Sequence, residues 1–194
     1  SAPESKVALI YNWDNTWILD QAMFGDNRDK KYIETIKDHY AAWKSLGYDV
    51  DLIDQTDALD AYRIVCGPMT YLLEDGFAEK VEAFVQNGGT YVATYISGWV
   101  NEENLAFLGG YPGPLRSVLG IWDEETDALD ETQTNCFIYN GTKYTCKEVC
   151  ALVHPEIAQS LAVYEENFYK GMPALTKNNF GQGNAYYIAA RTGR

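Results

Sequence analysis

The sequence predicts a doubly wound α/β fold: a mainly parallel sheet with helices on both faces, plus a short antiparallel β extension in the C-terminal half. Three observations carry this. Short continuous apolar runs alternate with stretches of three- and four-residue apolar spacing over the first hundred residues, and glycines punctuate the changes of pattern. From about residue 135 the runs shorten and turn signals replace the helical stretches between them. Runs without polar alternation read as strands buried on both faces, and right-handed crossovers between such strands place helices on each side of the sheet.

The elements follow in order. Val7 to Tyr11 is the first strand. From Lys31 to Leu46, Ile33, Ile36, Tyr40, Trp43 and Leu46 fall on one helical stripe, and Gly47 supplies the stop. Val50, Leu52 and Ile53 form a short second strand, and Ile64-Val65-Cys66 a third that Gly67-Pro68 ends. A second helix runs from about Asp75 to Gln86 with Phe77, Val81, Phe84 and Val85 on its face, closed by Gly88-Gly89. Tyr91 to Ile96 is the fourth strand, and Pro112 to Gly120 reads as a short helix. Cys136–Tyr139 and Lys143–Cys146 flank Asn140-Gly141 as a hairpin, and Ala185–Ala190 follows Gly181-Gln182-Gly183 as the last strand.

A chain of 194 residues buries roughly 70% of its unfolded surface, so it needs no covalent staples. We read residues 1–194 as one domain: 1–5 a cloning remnant or linker, 6–134 an α/β core, and 135–194 a β-rich completion of the same unit. No Met precedes Ser1 and no basic, hydrophobic signal segment precedes the first strand, which predicts a piece of something longer. A formal charge of −13 repels phosphate backbones and anionic headgroups, which disfavours nucleic-acid and membrane partners. The longest apolar runs fall far short of the roughly 20 residues that span a bilayer. Cys66, Cys136, Cys146 and Cys150 are too few for a disulfide framework and point to a reducing cytoplasm. Aromatic residues make up 14% of the chain, a richness suited to a large packed interface or a carbohydrate-facing surface.

In an open parallel sheet, ligands gather at the carboxyl ends of the strands near the point where strand order reverses. Those ends deliver Asn12-Trp13-Asp14-Asn15-Thr16-Trp17, Pro68-Met69-Thr70-Tyr71 and Ser97-Gly98-Trp99-Val100-Asn101. With a flavodoxin-like order they converge into one aromatic, carboxylate-bearing edge, either a rim that packs on another domain or a self-contained pocket. Trp13 and Trp17 stand where a phosphate-binding loop needs small residues, so flavin mononucleotide, dinucleotides and ATP are poor fits and no cofactor is expected. Ser97 sits at a strand end without a G-x-S-x-G elbow, and only His39 and His154 are available as bases. Cys136, Cys146 and Cys150 lack the C-x-x-C spacing of a metal site, and no metal is expected. The acidic runs Glu102-Glu103, Asp123-Glu124-Glu125 and Glu165-Glu166 read as solvated faces.

Several of these stretches look like one family. The opening Val7 to Trp17, Tyr62 to Leu72, Phe84 to Thr90 through Ser97-Gly98, the run Leu108-Gly109-Gly110-Tyr111-Pro112-Gly113-Pro114-Leu115-Arg116, and the closing Asn179 to Ala189 resemble the middle domain of family 42 glycoside hydrolases. The matches cover nearly the whole chain. The resemblance implies a β-galactosidase trimerisation domain with a class I glutamine amidotransferase-like fold, non-catalytic in itself, from a cytoplasmic bacterial enzyme. Its parent would be a retaining hydrolase of terminal non-reducing β-D-galactose residues whose acid/base and nucleophile glutamates lie in a preceding (β/α)8 barrel. It further implies a homotrimer in which this domain walls a neighbouring barrel's active site. We assign that interface to Trp13, Asp14, Asn15, Trp17, Met69, Tyr71, Ser97, Gly98, Trp99 and Tyr111. Two departures stand out: Asn12, where the family commonly shows Asp, and Cys66, in place of a small apolar residue. A carbohydrate-binding module and an amidotransferase-like hydrolase using Ser97 are the alternative readings.

Overall fold

The computed structural model describes residues 6–22 and 30–193; the segment read as a remnant or linker, 1–5, lies outside them. Strand β1 (Lys6–Ile10) is buried throughout its apolar stretch and leads into helix α1 (Trp13–Gln21). Helix α2 (Tyr32–Ser45) and strands β2 (Asp49–Ile53) and β3 (Ile64–Gly67) follow. After the two-residue β4 (Leu72–Leu73) come helix α3 (Phe77–Gln86), strand β5 (Thr90–Thr94) and β6 (Val100–Asn101), which pairs with β4. A 3-10 turn, Gly113–Leu115, runs into α4 (Arg116–Leu119), the short helix expected between Pro112 and Gly120. The remaining strands are β7 (Ile121–Ala128), β8 (Asn135–Tyr139), β9 (Thr142–Pro155), β10 (Gln159–Val163), β11 (Pro173–Phe180), β12 (Gly183–Ile188) and β13 (Ala190–Thr192).

The fold is mixed α/β on a mostly parallel sheet. Its seven strands run β10-β11-β12-β5-β3-β1-β2; β12, β5, β3, β1 and β2 pair in parallel, and β11 and β10 add an antiparallel edge. The connection from β1 to β2 moves one way along the sheet and that from β3 to β5 the other. Right-handed crossovers therefore put α2 on one face and α3 on the opposite one. Helix α3 buries Phe77, Val81 and Val85 as its spacing predicts.

The phase of α2 differs from the expected stripe. Tyr32, Thr35 and Ile36 are buried, whereas Ile33 and Tyr40 are each 39% exposed and Leu46 is 70% exposed. Polar partners set this rotation: the Tyr32 hydroxyl accepts the Asn12 N–H at 3.2 Å, and Thr35 Oγ1 accepts from Arg191 Nη2 at 3.3 Å. Satisfying those buried groups outweighs covering Ile33 and Tyr40.

A second, antiparallel sheet is built on β9, which at 14 residues serves several neighbours. Its first part pairs with β8 through the expected hairpin, where Asn140 and Gly141 take φ of 48° and 78°, the signs a two-residue type I′ turn requires. Its second part pairs with β7, and β13 lies along its other edge. Ala189 joins the layers: its N–H donates to Ala174 O, and its carbonyl accepts from Ala151 N. Because β7 precedes residue 135 yet lies in this sheet, and β11 and β12 follow it yet complete the parallel one, both layers draw on both halves of the chain.

One acidic residue read as solvated is not. Glu124 and Glu125 are exposed, but Asp123 is 1% exposed, because strand alternation turns Ile121 and Asp123 inward before a register shift between 123 and 125. The Tyr187 hydroxyl of β12 donates to its Oδ2 at 3.0 Å, a polar tie between the two sheets. Burial raises its carboxyl from 3.8 to about 7, more than the Tyr187 hydrogen bond and nearby His154 offset.

Candidate functional site

The carboxyl ends of β1, β3 and β5 meet beneath α1. Asn12 caps that helix: its backbone is extended (φ −119°, ψ 123°) and its Oδ1 accepts the Asn15 N–H at 3.1 Å. Its Nδ2 donates to Glu74 Oε1 at 2.6 Å, where partial burial raises the Glu74 carboxyl. A carboxylate at position 12 could cap the helix as well but could not donate to Glu74, which gives Asn12 a local reason.

The stretch that the first strand's carboxyl end delivers, Asn12 to Trp17, is thus a cap and the start of a helix. Only Asn15 and Leu19 of α1 are buried, so the helix carries almost no apolar stripe to reveal it. The signal present was a capping Asn before residues spaced by four, Trp13 and Trp17. These two face outward, 60% and 57% exposed, with their rings edge-to-face at 6.3 Å. Asp14 beside them is also exposed.

Asn15 is structural. Its Nδ2 donates to Met69 O at 2.9 Å and its Oδ1 accepts the Leu72 N–H at 2.8 Å, clamping the β3–β4 connection under α1. Met69, buried at φ 46°, donates its N–H to Thr94 Oγ1 at 2.8 Å. The Gly98 N–H donates to Thr70 O and the Trp99 N–H to Tyr71 O, at 2.8 and 2.9 Å. Trp99 stacks on Tyr111 with centroids 4.4 Å apart and planes at 12°, and Tyr71 lies 5.6 Å from it on a tilt.

The expected aromatic edge therefore has two parts. Trp13, Asp14 and Trp17 are exposed, and Trp99 and Tyr111 are half-buried. Asn15, Met69, Tyr71, Ser97 and Gly98, expected to face a partner, are buried and hold the strand ends in place instead. The physical reason is hydrogen bonding: loop backbone taken out of water at three adjacent strand ends must be paired, and these residues pair it.

The Ser97 hydroxyl is fully buried and donates to Thr94 O at 2.7 Å. Neither histidine serves it. His154 pairs with Glu124 and stacks on Trp122, while His39 Nδ1 lies 3.6 Å from Cys66 Sγ. Burial lowers the His39 imidazole to about 4 and pushes the Cys66 thiol up to about 12, so both are neutral at pH 7.

No local sequence pattern marks the polar centre around Arg191. Its Nε donates to Tyr95 OH at 3.0 Å, its Nη1 to Glu148, and its Nη2 to Lys30 O at 2.7 Å, while the guanidinium lies 5.4 Å from the Tyr95 ring centroid. Glu148 also pairs with Lys31, and these two cations hold its carboxyl below the usual range against the effect of burial. Arg191, Tyr95, Asp38 and His39 help line a cavity of about 460 Å³ between α2 and β13. The partners of Arg191 are 43 to 161 residues away in sequence, a separation no local pattern encodes.

Residues 5–194 match the family model described as the beta-galactosidase trimerisation domain. The β-galactosidase Pbg of Clostridium perfringens is 46% identical over 195 residues, covering 97% of this chain and 28% of that protein. The crystal structure of a β-galactosidase from Rahnella sp. R3 superposes with a TM-score of 0.95 at 44% identity, over 98% of this chain and 29% of that one. One from Bacillus circulans sp. alkalophilus gives a TM-score of 0.92 at 39% identity, again over 98% of this chain and 29% of that one. The chain thus spans about 28% of the length of the curated relatives it matches.

Proposed function

Since the chain belongs to the β-galactosidase trimerisation domain family, we propose that it is the non-catalytic assembly domain of a larger cytoplasmic β-galactosidase, associating as a homotrimer through contacts within residues 1–194. In this reading the catalytic glutamates lie in a neighbouring (β/α)8 barrel that acts on terminal non-reducing β-D-galactose residues. Residues 1–194 act as one domain with a flavodoxin-like, class I glutamine amidotransferase-like fold. The parallel strands support that finer reading, since their sheet order, numbered along the chain, is 2-1-3-4-5.

The observation that carries the contact with the neighbouring barrel is the outward pair Trp13 and Trp17. Two indoles more than half exposed on one helix place a large apolar area in water at the sheet's carboxyl edge, and tryptophan is the residue type most enriched at interface hot spots. Here they face a neighbouring barrel, with Asp14 on the rim and Trp99 and Tyr111 forming the adjoining wall.

The Trp13→Ala, Trp17→Ala double variant of the intact enzyme tests this. Folding stability should change by no more than about 0.5 kcal/mol per site, because neither ring is in the core. KM for a nitrophenyl β-galactoside should rise about tenfold, with kcat within about twofold, or the oligomer should dissociate. Unchanged KM and unchanged mass in the double variant would remove this face from the interface.

A further inference from the structure

Strand β9 is not straight. Against β13, Cys146 lies opposite Thr192 and Cys150 opposite Ala190, so a four-residue step on β9 faces a two-residue step on its partner. Glu148, midway between the cysteines, takes φ 67° and forms the apex of this bulge, held by Lys31 and Arg191. Residues four apart in an extended strand lie about 13 Å from each other, whereas two residues of β13 span about 6.7 Å. The bulge therefore shortens the separation of the two cysteine Cα atoms from about 13 Å toward the range of about 4.4–6.8 Å that a disulfide bridges. Both side chains are fully buried and free.

We propose that Cys146 and Cys150 are a redox pair that closes to a reversible disulfide across the β9 bulge, with hydrogen peroxide as the oxidant. Cys150 is the reacting partner: its interaction with Cys146 lowers the Cys150 thiol against the effect of burial and raises that of Cys146. The Cys150 thiolate attacks one peroxide oxygen, the O–O bond breaks, and hydroxide leaves with the proton balance of water, giving a sulfenic acid. Cys146 sulfur then attacks Cys150 Sγ; its thiol proton and the sulfenic hydroxyl depart as a second water. The two thiols are oxidised by two electrons, and one peroxide is reduced to two waters. The oxidant reaches the buried pair when β13, a three-residue strand at the sheet's edge, opens, which requires release of the Arg191 bonds to Tyr95, Glu148 and Lys30 O.

Lys147 between the cysteines makes the product easy to identify. The folded chain is treated with graded peroxide, quenched with N-ethylmaleimide and digested with trypsin, which separates residues 144–147 from 148–170. The expected product is a disulfide-linked pair of those peptides, two hydrogens lighter than their sum and released by dithiothreitol, with Cys66 and Cys136 alkylated. In Cys146→Ser, dimedone should label Cys150 about tenfold faster than it labels Cys146 in Cys150→Ser, since the thiolate is the reactive form. Cys146 and Cys150 alkylated separately after peroxide, a link that forms only in denaturant, or one that engages Cys136 would each overturn the proposal. The wild-type map decides it even if a serine variant fails to fold.

Discussion

Gly98→Ala is expected to lower the melting temperature by about 10 °C, corresponding to about 3 kcal/mol for a chain of this length. Gly98 has φ 69°, and an added Cβ would lie 2.0 Å from the Pro112 carbonyl oxygen and 2.5 Å from its carbon. Those are backbone atoms, so relief requires the 98–99 and 112–113 segments to part. That motion pulls at the Trp99–Tyr111 stack and at the Gly98 N–H bond to Thr70 O. Gly109→Ala is the control: φ there is 93°, but a Cβ would meet nothing within 4 Å, so only the backbone strain, about 1 kcal/mol, is incurred. Thermal unfolding of both variants separates the two contributions, and equal losses would contradict the close approach at Pro112.

The second large effect concerns pH. Asp123 titrates near 3.8 when unfolded and near 7 when folded, so between those values the folded state holds a proton that the unfolded state has lost. Stability then falls as pH rises, by about 1.4 kcal/mol per unit from this group, and the contribution is level below 3.8 and above 7. Asp123→Asn removes the ionisation and keeps an acceptor for the Tyr187 hydroxyl. At pH 8 the variant should be more stable than the wild type by about 2 kcal/mol, less than the full linkage because the new amide N–H₂ must find partners. Near pH 4 the order should reverse, with the variant less stable than the wild type by about 2 kcal/mol, because the linkage between the two pH values amounts to about 4 kcal/mol. Comparing the two proteins across pH in urea cancels the other titrating groups, and a difference independent of pH would show that Asp123 is ionised in the fold.

Much of the fold was legible because burial on both faces removes polar alternation. Val7 to Ile10, Val65 and Cys66, and the α3 face at Phe77, Val81 and Val85 could be placed from the sequence alone, as could the Asn140-Gly141 turn. The failures have a common cause in polar tertiary partners. Helix α1 was missed because its tryptophans point outward and the residue it buries in its first turn is an asparagine. Helix α2 was misphased because Tyr32 and Thr35 turn inward to Asn12 and Arg191. Asp123 looked solvated because its charge neighbours are, while its partner Tyr187 lies 64 residues away. The candidate site divides the same way. Trp13, Trp17, Trp99 and Tyr111 could be picked out as aromatic residues at strand ends, whereas the supporting roles of Asn15, Met69 and Ser97 depend on backbone groups that become neighbours only after folding.

The central claim is that self-association resides in these residues, and the solution mass of the 194-residue chain tests it most directly. Sedimentation equilibrium should be run over a wide concentration range at moderate salt, because −13 on every copy opposes association when unscreened. The account predicts a mass of three chains of 21.8 kDa each, dissociating only on dilution. The mass of a single chain at every concentration would contradict it.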